Sequence, residues 1–294
     1  MNVCVLGAGT MGHGIAQVSA MGGHDVVLRD VDEAIVESGL EHVRENLQGG
    51  IDRGKVTEAE RDAAFDRIEG ATDLAAVADA DLVVEAVPED EELKRSVLSE
   101  VEGHVDDDCV LASNTSSIPV TGIASALADP SRAVGLHFFN PVHIMGLVEV
   151  VAAEQTSDAT REFAEEFVEG IDKTAVVVED SPGFASSRLG VALGVEAMRM
   201  VQEGVASPRD IDAAMELGYN HPMGPVELGD VVGLDVRLDI LEQLREELGE
   251  RFRPPTVLRK KVRAGKLGKK SGEGFYVWED GEIVGVSGEE GTDE

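Results

Sequence analysis

Cysteine is almost missing from this chain: 294 residues carry two, Cys4 and Cys109, each inside a run that reads as buried strand. Two thiols so placed exclude a disulfide framework and offer no metal-ligand spacing, so neither a disulfide nor a metal is expected. Positive charge is scarce as well, with 25 basic residues against 58 acidic ones and a formal charge of −33. A polyanion of this size repels nucleic acid and anionic membrane, and both are excluded as partners. No apolar run is long enough to span a bilayer. The first apolar run begins beside Met1 with no basic segment or cleavage site before it, so no signal peptide and a cytoplasmic location are expected. What the chain does have is 43% hydrophobic residues and length for two domains, the profile of an ordinary globular protein. The acids are scattered over helix-like surfaces and Arg outnumbers Lys, a pattern that fits a high-salt cytoplasm where counterions screen the repulsion.

The first thirty residues frame the rest. An apolar run, Val3–Leu6, leads into Gly7-Ala8-Gly9-Thr10-Met11-Gly12, then a helical pattern to Met21, a second apolar run Val26–Leu28, and Asp30. This is strand, glycine turn, helix, strand, acid. Gly7 allows the turn, Gly9 lets backbone approach a pyrophosphate, and Gly12 lets helix pack on strand. The helix N-terminus offers N–H groups to phosphate, and Asp30 can accept from ribose hydroxyls. Gly7, Gly9, Thr10, Met11, Gly12 and Asp30 are therefore expected to bind a dinucleotide. The acid favours NAD over a cofactor bearing a 2′-phosphate.

Further strands are expected at Asp81–Val87, Cys109–Ala112, Val148–Val151 and Thr174–Val178. Helices are expected at 32–49, from Thr57 with Glu60 behind it in capping-box spacing, and at Glu91–Glu102. Alternation of this kind predicts an α/β fold, a Rossmann-type, doubly wound, mainly parallel sheet. Three strand-end loops carry polar residues toward the ligand crevice: 87–89, 113–117 and 137–141. Lys94, one and a half helical turns past Glu89, can face the same crevice. The pattern turns wholly helical after Asp180-Ser181-Pro182-Gly183. That gives a dinucleotide-binding domain over 1–181, a smaller all-α domain over 182–280, and an acidic, frayed tail over 281–294. Tyr219–Pro225 reads as a rigid turn between helices.

Six segments, Gly7–Gly12, Ser113–Ser117, Gly135–Pro141 with Leu147–Val150, Asp180–Phe184, Tyr219–Pro225 and Lys269–Tyr276, resemble in order the motifs of the L-3-hydroxyacyl-CoA dehydrogenases, including the short 3-hydroxybutyryl-CoA type. The resemblance implies NAD-dependent oxidation of (S)-3-hydroxyacyl-CoA to the 3-ketoacyl-CoA, as in fatty-acid β-oxidation, or the reverse reduction, as in polyester or butyrate-type synthesis. It implies His137 as catalytic base, Glu149 as its paired acid, Ser116 at the substrate oxygen and Asn140 near the nicotinamide. It implies Glu89, Lys94 and Lys270 as cofactor contacts, Lys55 at the coenzyme A phosphates, and a homodimer through the helical domain. In one place the chain departs from the family: Ser187 stands where many members carry asparagine. A hydroxyl there can still bond the substrate carbonyl, directly or through water, though it cannot both donate and accept as an amide does.

The chemistry of the residues agrees. Oxidising an alcohol sends hydride to the nicotinamide and needs a base for the hydroxyl proton, a task that suits histidine. A carboxylate on the other ring nitrogen fixes the tautomer and stabilises the imidazolium. Glu149 lies twelve residues from His137 with Asn140-Pro141 between two strand-like runs, so the two strands can lie side by side. The other six histidines show no metal-ligand spacing. Two alternatives stand beside this reading. One is a sugar-acid or 3-hydroxyacid dehydrogenase acting on free acids, which should show HPxNP at the histidine. The other is a non-catalytic nucleotide-binding structural protein, which would tolerate loss of the His137–Glu149 pair.

Overall fold

A computed structural model describes residues 1–288. The chain divides into two units, Met1–Phe184 and a second beginning at Ala185, three residues past the expected boundary.

The first unit runs β1 (Asn2–Leu6), α1 (Gly12–Met21), β2 (Asp25–Arg29), α2 (Glu33–Asp52), α3 (Glu58–Phe65), β3 (Ile68–Ala71), β4 (Leu82–Glu85), α4 (Glu91–Glu102), β5 (Val110–Ser113), α5 (Val120–Ala124), β6 (Ala133–Phe138), β7 (Leu147–Ala152), α6 (Asp158–Gly170) and β8 (Thr174–Glu179). Against the expected elements, β3, α5 and α6 are additions. The eight strands form one sheet in the order β3-β2-β1-β4-β5-β6-β7-β8. Only β6 and β7 pair antiparallel, and every other neighbouring pair is parallel. The order reverses at β1, between β2 and β4, so the ligand crevice opens beyond the carboxyl ends of β1 and β4.

Central strands are buried end to end, as a sheet covered on both faces requires. Side chains alternate between the faces. Val3 and Val5 join Ile15, Val43, Leu47 and Phe167 on one side. Cys4 and Leu6 join Leu98, Val101, Ile123 and Phe184 on the other. Both cysteines are free, and burial pushes each thiol up to about 12, which leaves them inert apolar filler.

The second unit holds α7 (Ser186–Glu203), α8 (Pro208–Tyr219), α9 (Pro225–Val232), α10 (Leu234–Leu248) and α11 (Thr256–Arg263), then β9 (Tyr276–Glu279) and β10 (Glu282–Val286). It is helical as expected, with one correction. The segment expected to begin a frayed tail at residue 281 is instead β10, paired antiparallel with β9. The cause is local: Asp280 and Gly281, at φ 50° and 87°, form the Asp-Gly turn that joins strands in a hairpin. The rest of that tail, 289–294, lies outside the described residues.

Two buried acids organise this unit. Asp230 accepts from the backbone N–H groups of Phe275 and Tyr276, each at 2.9 Å, and from Trp278 Nε1 at 3.1 Å. Asp212 accepts from Val226 N at 2.7 Å, Glu227 N at 2.9 Å and Tyr276 OH at 2.6 Å, so it caps α9 from another helix. A Cβ on Gly274 would sit 2.2 Å from Asp230 Oδ1 and one on Gly224 2.1 Å from Asp212 Cβ. The motifs at 219–225 and 269–276 are thus the mould around two carboxylates, and the first is the rigid turn expected.

Candidate active site

Gly7, at φ 97°, turns the chain out of β1, and a Cβ there would meet Ala86 O at 2.6 Å. The β1–α1 and β4–α4 loops therefore touch at the point where strand order reverses. A Cβ on Gly12 would meet Gly7 O at 1.6 Å, whereas one on Gly9 would meet nothing within 4 Å. Two glycines close the turn and the third leaves room in front of it. Asp30 braces the same turn, accepting from Ala8 N at 2.9 Å and Val31 N at 2.7 Å. In this unit α2, α3, α4 and α6 each have a side-chain cap, from Asp32, Thr57, Asp90 and Ser157. The short α5 receives Asp180 at Thr121 N. By contrast α1 has no side-chain cap and no acid in its first turn. In so acidic a chain, that helix end is left for an anion from outside. Open space at Gly9, uncapped N–H groups and a fixed acid at Asp30 fit the pyrophosphate and ribose of NAD.

The next loop pair is held by Glu89. Its Oε1 accepts from Thr115 Oγ1 at 2.6 Å, Ser116 N at 3.0 Å, Ser117 N at 3.2 Å and Ser117 Oγ at 3.1 Å. Its Oε2 lies 3.3 Å from Lys94 Nζ. Burial opposes ionisation of Glu89, but Lys94 and these donors outweigh it and hold the carboxyl below its usual range. Lys94 shares a helix face with Leu98 and Val101, and its side chain is wholly buried, its ammonium bonded to Glu85 Oε1 at 2.8 Å. Within this unit it meets two carboxylates and the Val87 carbonyl, and it reaches Ser116 itself through Glu89.

The third loop carries the histidine. In the β6–β7 ladder His137 stands directly opposite Glu149, and His137 Nδ1 lies 2.8 Å from Glu149 Oε2. Both side chains are buried, at 7% and 1% exposure. The side-by-side strands expected from the twelve-residue interval, here antiparallel, are what place them. With Nδ1 on the carboxylate, Nε2 is the ring atom available for proton transfer. Phe139 and Phe184 flank the imidazole with ring centroids at 4.4 and 5.6 Å. Asn114 Oδ1 accepts from Phe138 N at 2.9 Å, which ties the Ser116 loop to the residue after His137. Asn140 is exposed just beyond, joined to Pro141 by a cis peptide bond.

The remaining expected residues are Lys55, Ser187 and Lys270. Lys55 is exposed after α2. Ser187 is in the first turn of α7, and Lys270, half-exposed and paired with Asp235 at 2.6 Å, belongs to the second unit. No role of their own was expected for Glu85, Ser113, Phe139 or Phe184. Glu85 has a signature, a lone acid closing an apolar strand nine residues before a lysine on the core face of a helix. The aromatic pair has none short of the fold. No group of three or more His, Cys, Asp or Glu among the described residues could hold a metal.

A nucleotide crevice at the strand reversal beside a buried histidine–carboxylate pair defines an NAD-dependent oxidoreductase. Residues 2–181 match the NAD binding domain of 3-hydroxyacyl-CoA dehydrogenase and residues 183–278 match its C-terminal domain. The chain belongs to the 3-hydroxyacyl-CoA dehydrogenase family and catalyses NAD-dependent oxidation of 3-hydroxyacyl-CoA. It is 46% identical over 277 residues to a probable 3-hydroxybutyryl-CoA dehydrogenase of Deinococcus radiodurans, covering 94% of this chain and 99% of that one. It is 44% identical to the 3-hydroxybutyryl-CoA dehydrogenase of Mycobacterium tuberculosis, covering 94% and 98%. Among solved structures, the (S)-3-hydroxybutyryl-CoA dehydrogenase of Ralstonia eutropha superimposes with a TM-score of 0.92 at 41% identity, covering 95% and 99%.

Proposed function

We propose that the chain acts on short (S)-3-hydroxyacyl-CoA substrates of the 3-hydroxybutyryl-CoA type, with His137 and Glu149 as its acid–base unit. The 2.8 Å contact between the two buried side chains carries this reading. NAD, when bound, supplies the hydride acceptor. Neutral His137 takes the 3-hydroxyl proton in oxidation, and protonated His137 returns it in reduction. Glu149 stabilises the imidazolium and fixes which nitrogen faces the substrate. Ser116 and Asn140 hold the reacting oxygen and the nicotinamide side, with Ser187 on the substrate carbonyl, Lys55 on the coenzyme A phosphates, Lys270 and Glu89 completing the cofactor contacts, and the buried Lys94 acting behind Glu89. The relatives' substrate and the match along nearly the whole chain support the short acyl group.

We read the enzyme as a cytoplasmic homodimer of fatty-acid β-oxidation adapted to high salt. Support for a dimer comes from apolar side chains left exposed on the second unit, among them Leu217, Tyr219, Leu228, Val231 and Val232. No helix among the described residues is long and apolar enough to cross a membrane. The charge of −33 supports the salt reading. The test is a steady-state assay with NADH or NADPH in molar KCl, comparing acetoacetyl-CoA, longer 3-ketoacyl-CoAs and free 3-keto acids. Highest kcat/KM with acetoacetyl-CoA and NADH is expected, and a preference for longer chains or free acids would overturn the assignment. Thermal stability unchanged between dilute buffer and molar KCl would remove the salt reading.

A further inference from the structure

Glu85 takes none of the roles above, yet it is a carboxylate at zero exposure inside an apolar strand end. Such a group persists only where its partners are fixed. Its Oε1 accepts from Lys94 Nζ at 2.8 Å and from Val87 N at 2.7 Å. Its Oε2 accepts from Ser113 Oγ at 2.5 Å, and its backbone carbonyl accepts from Asn114 N at 2.7 Å. One residue thus grips the β4–α4 loop and the end of β5 together. Lys94 also donates to Val87 O at 3.3 Å, which closes the ring.

The lengths assign the roles. Lys94 is 2.8 Å from Glu85 and 3.3 Å from Glu89, so Glu85 is its tighter partner. That leaves Glu89 Oε1 to receive the N–H groups of Ser116 and Ser117. The same stretch of chain reaches the histidine strand through Asn114 Oδ1 and Phe138 N. Remove the charge of Glu85 and Glu89 is the one carboxylate left to the ammonium, in competition with the donors that set Ser116.

We propose that Glu85 is a positioning residue for the reaction: through Lys94 and Glu89 it sets the Ser116 loop at its working distance from His137. This rests on Ser116 being the residue that meets the substrate oxygen. A displacement of about 1 Å at such a group can cost on the order of 10²-fold in rate. The loss should fall on kcat and kcat/KM alike, because the bond from Ser116 counts most in the transition state.

The experiment is a double-mutant cycle in the whole enzyme with acetoacetyl-CoA and NADH. Glu85→Gln should lower kcat by about 10²-fold with KM for acetoacetyl-CoA nearly unchanged. In a Ser116→Ala background the same substitution should cost less than threefold, because the group it positions is gone. Equal losses in both backgrounds would mean a general structural role and overturn the proposal, as would Glu85→Gln with normal kcat. If Glu85→Gln does not fold, Glu85→Gln/Lys94→Met removes both charges and takes its place in the cycle with the same expected outcomes. Ser116→Ala with normal kcat would instead refute the reading of Ser116. Glu85 would then be judged on kcat alone, and a 10²-fold loss that persists undiminished in the Ser116→Ala enzyme would overturn positioning through that residue.

Discussion

Two sets of buried carboxylates divide this molecule, and they are buried for different reasons. In the first unit Glu149 faces an imidazole and Glu85 an ammonium. In the second, Asp212 and Asp230 face mainly backbone N–H groups, a phenol and an indole, donors that keep their protons. Burial raises the pKa of Asp212 and Asp230 more than those donors lower it. An acid opposite a titratable base can do chemistry, while an acid ringed by fixed donors shapes backbone.

The largest effect should come from the first kind. His137→Gln removes the acid–base group and should lower kcat by about 10²–10⁴-fold while NADH still binds. Glu149→Gln keeps the shape and loses the anion, so kcat should fall as well. The two losses should not add in the double variant. Fully additive losses in steady-state kinetics would separate Glu149 from the histidine and break the distinction.

The second kind should show in stability. Asp230→Asn turns an amide N–H toward the donors of the 275–278 loop, at a cost of about 3 kcal/mol measured by urea unfolding. The folded fraction should keep kcat within tenfold of normal. A kinetic collapse with unchanged stability would put Asp230 in the chemistry after all.

A smaller effect is expected at Lys55, an exposed point charge. Lys55→Ala should raise KM for acetoacetyl-CoA about fivefold and leave an N-acetylcysteamine thioester unaffected. Equal losses on both substrates would give Lys55 a structural role.

Acid should separate the units by a modest margin. Folded Asp212 and Asp230 hold protons more tightly than unfolded aspartate. Stability therefore rises as pH falls from their raised values toward the ordinary 3.8. Glu89 and Glu102 are held below the ordinary 4.5, so their contribution is full above that value and is lost as pH falls through the lowered ones. Asp235 and Glu273 follow the second rule, but their partners are half in solvent and weigh less. Below about pH 4.5, far-UV circular dichroism should begin to fall before the fluorescence of Trp278, the sole tryptophan, reports loss of the second unit. Coincident transitions would erase the contrast.

How far the sequence could be read follows the same division. The glycine turn and the strand pair carrying His137 and Glu149 are local patterns with fixed geometry, and they are found where the residues put them, while the switch of periodicity expected after residue 181 falls three residues later. Helix α4 begins and ends as read, because Asp90 caps it and its buried face repeats at Lys94, Leu98 and Val101. The buried acids are another matter. Whether Asp230 is buried depends on partners 45 or more residues away, which no local pattern contains, whereas Glu85 is marked only by the lysine nine residues after it. The hairpin after Asp280 was within reach of the Asp-Gly rule but hidden by the acidic composition around it.

The uncapped start of α1 has a kinetic consequence. It is a small attractive spot in the field of a chain with formal charge −33, and its ligand is itself an anion. In dilute buffer, where the Debye length is roughly 30 Å, the whole protein turns the dinucleotide away before the helix end can be felt. At molar salt that length shrinks to about 3 Å, and only the close-range N–H groups remain in play. Salt should therefore quicken the encounter with NADH and leave its departure nearly unchanged, the reverse of the usual response of a site that binds phosphate.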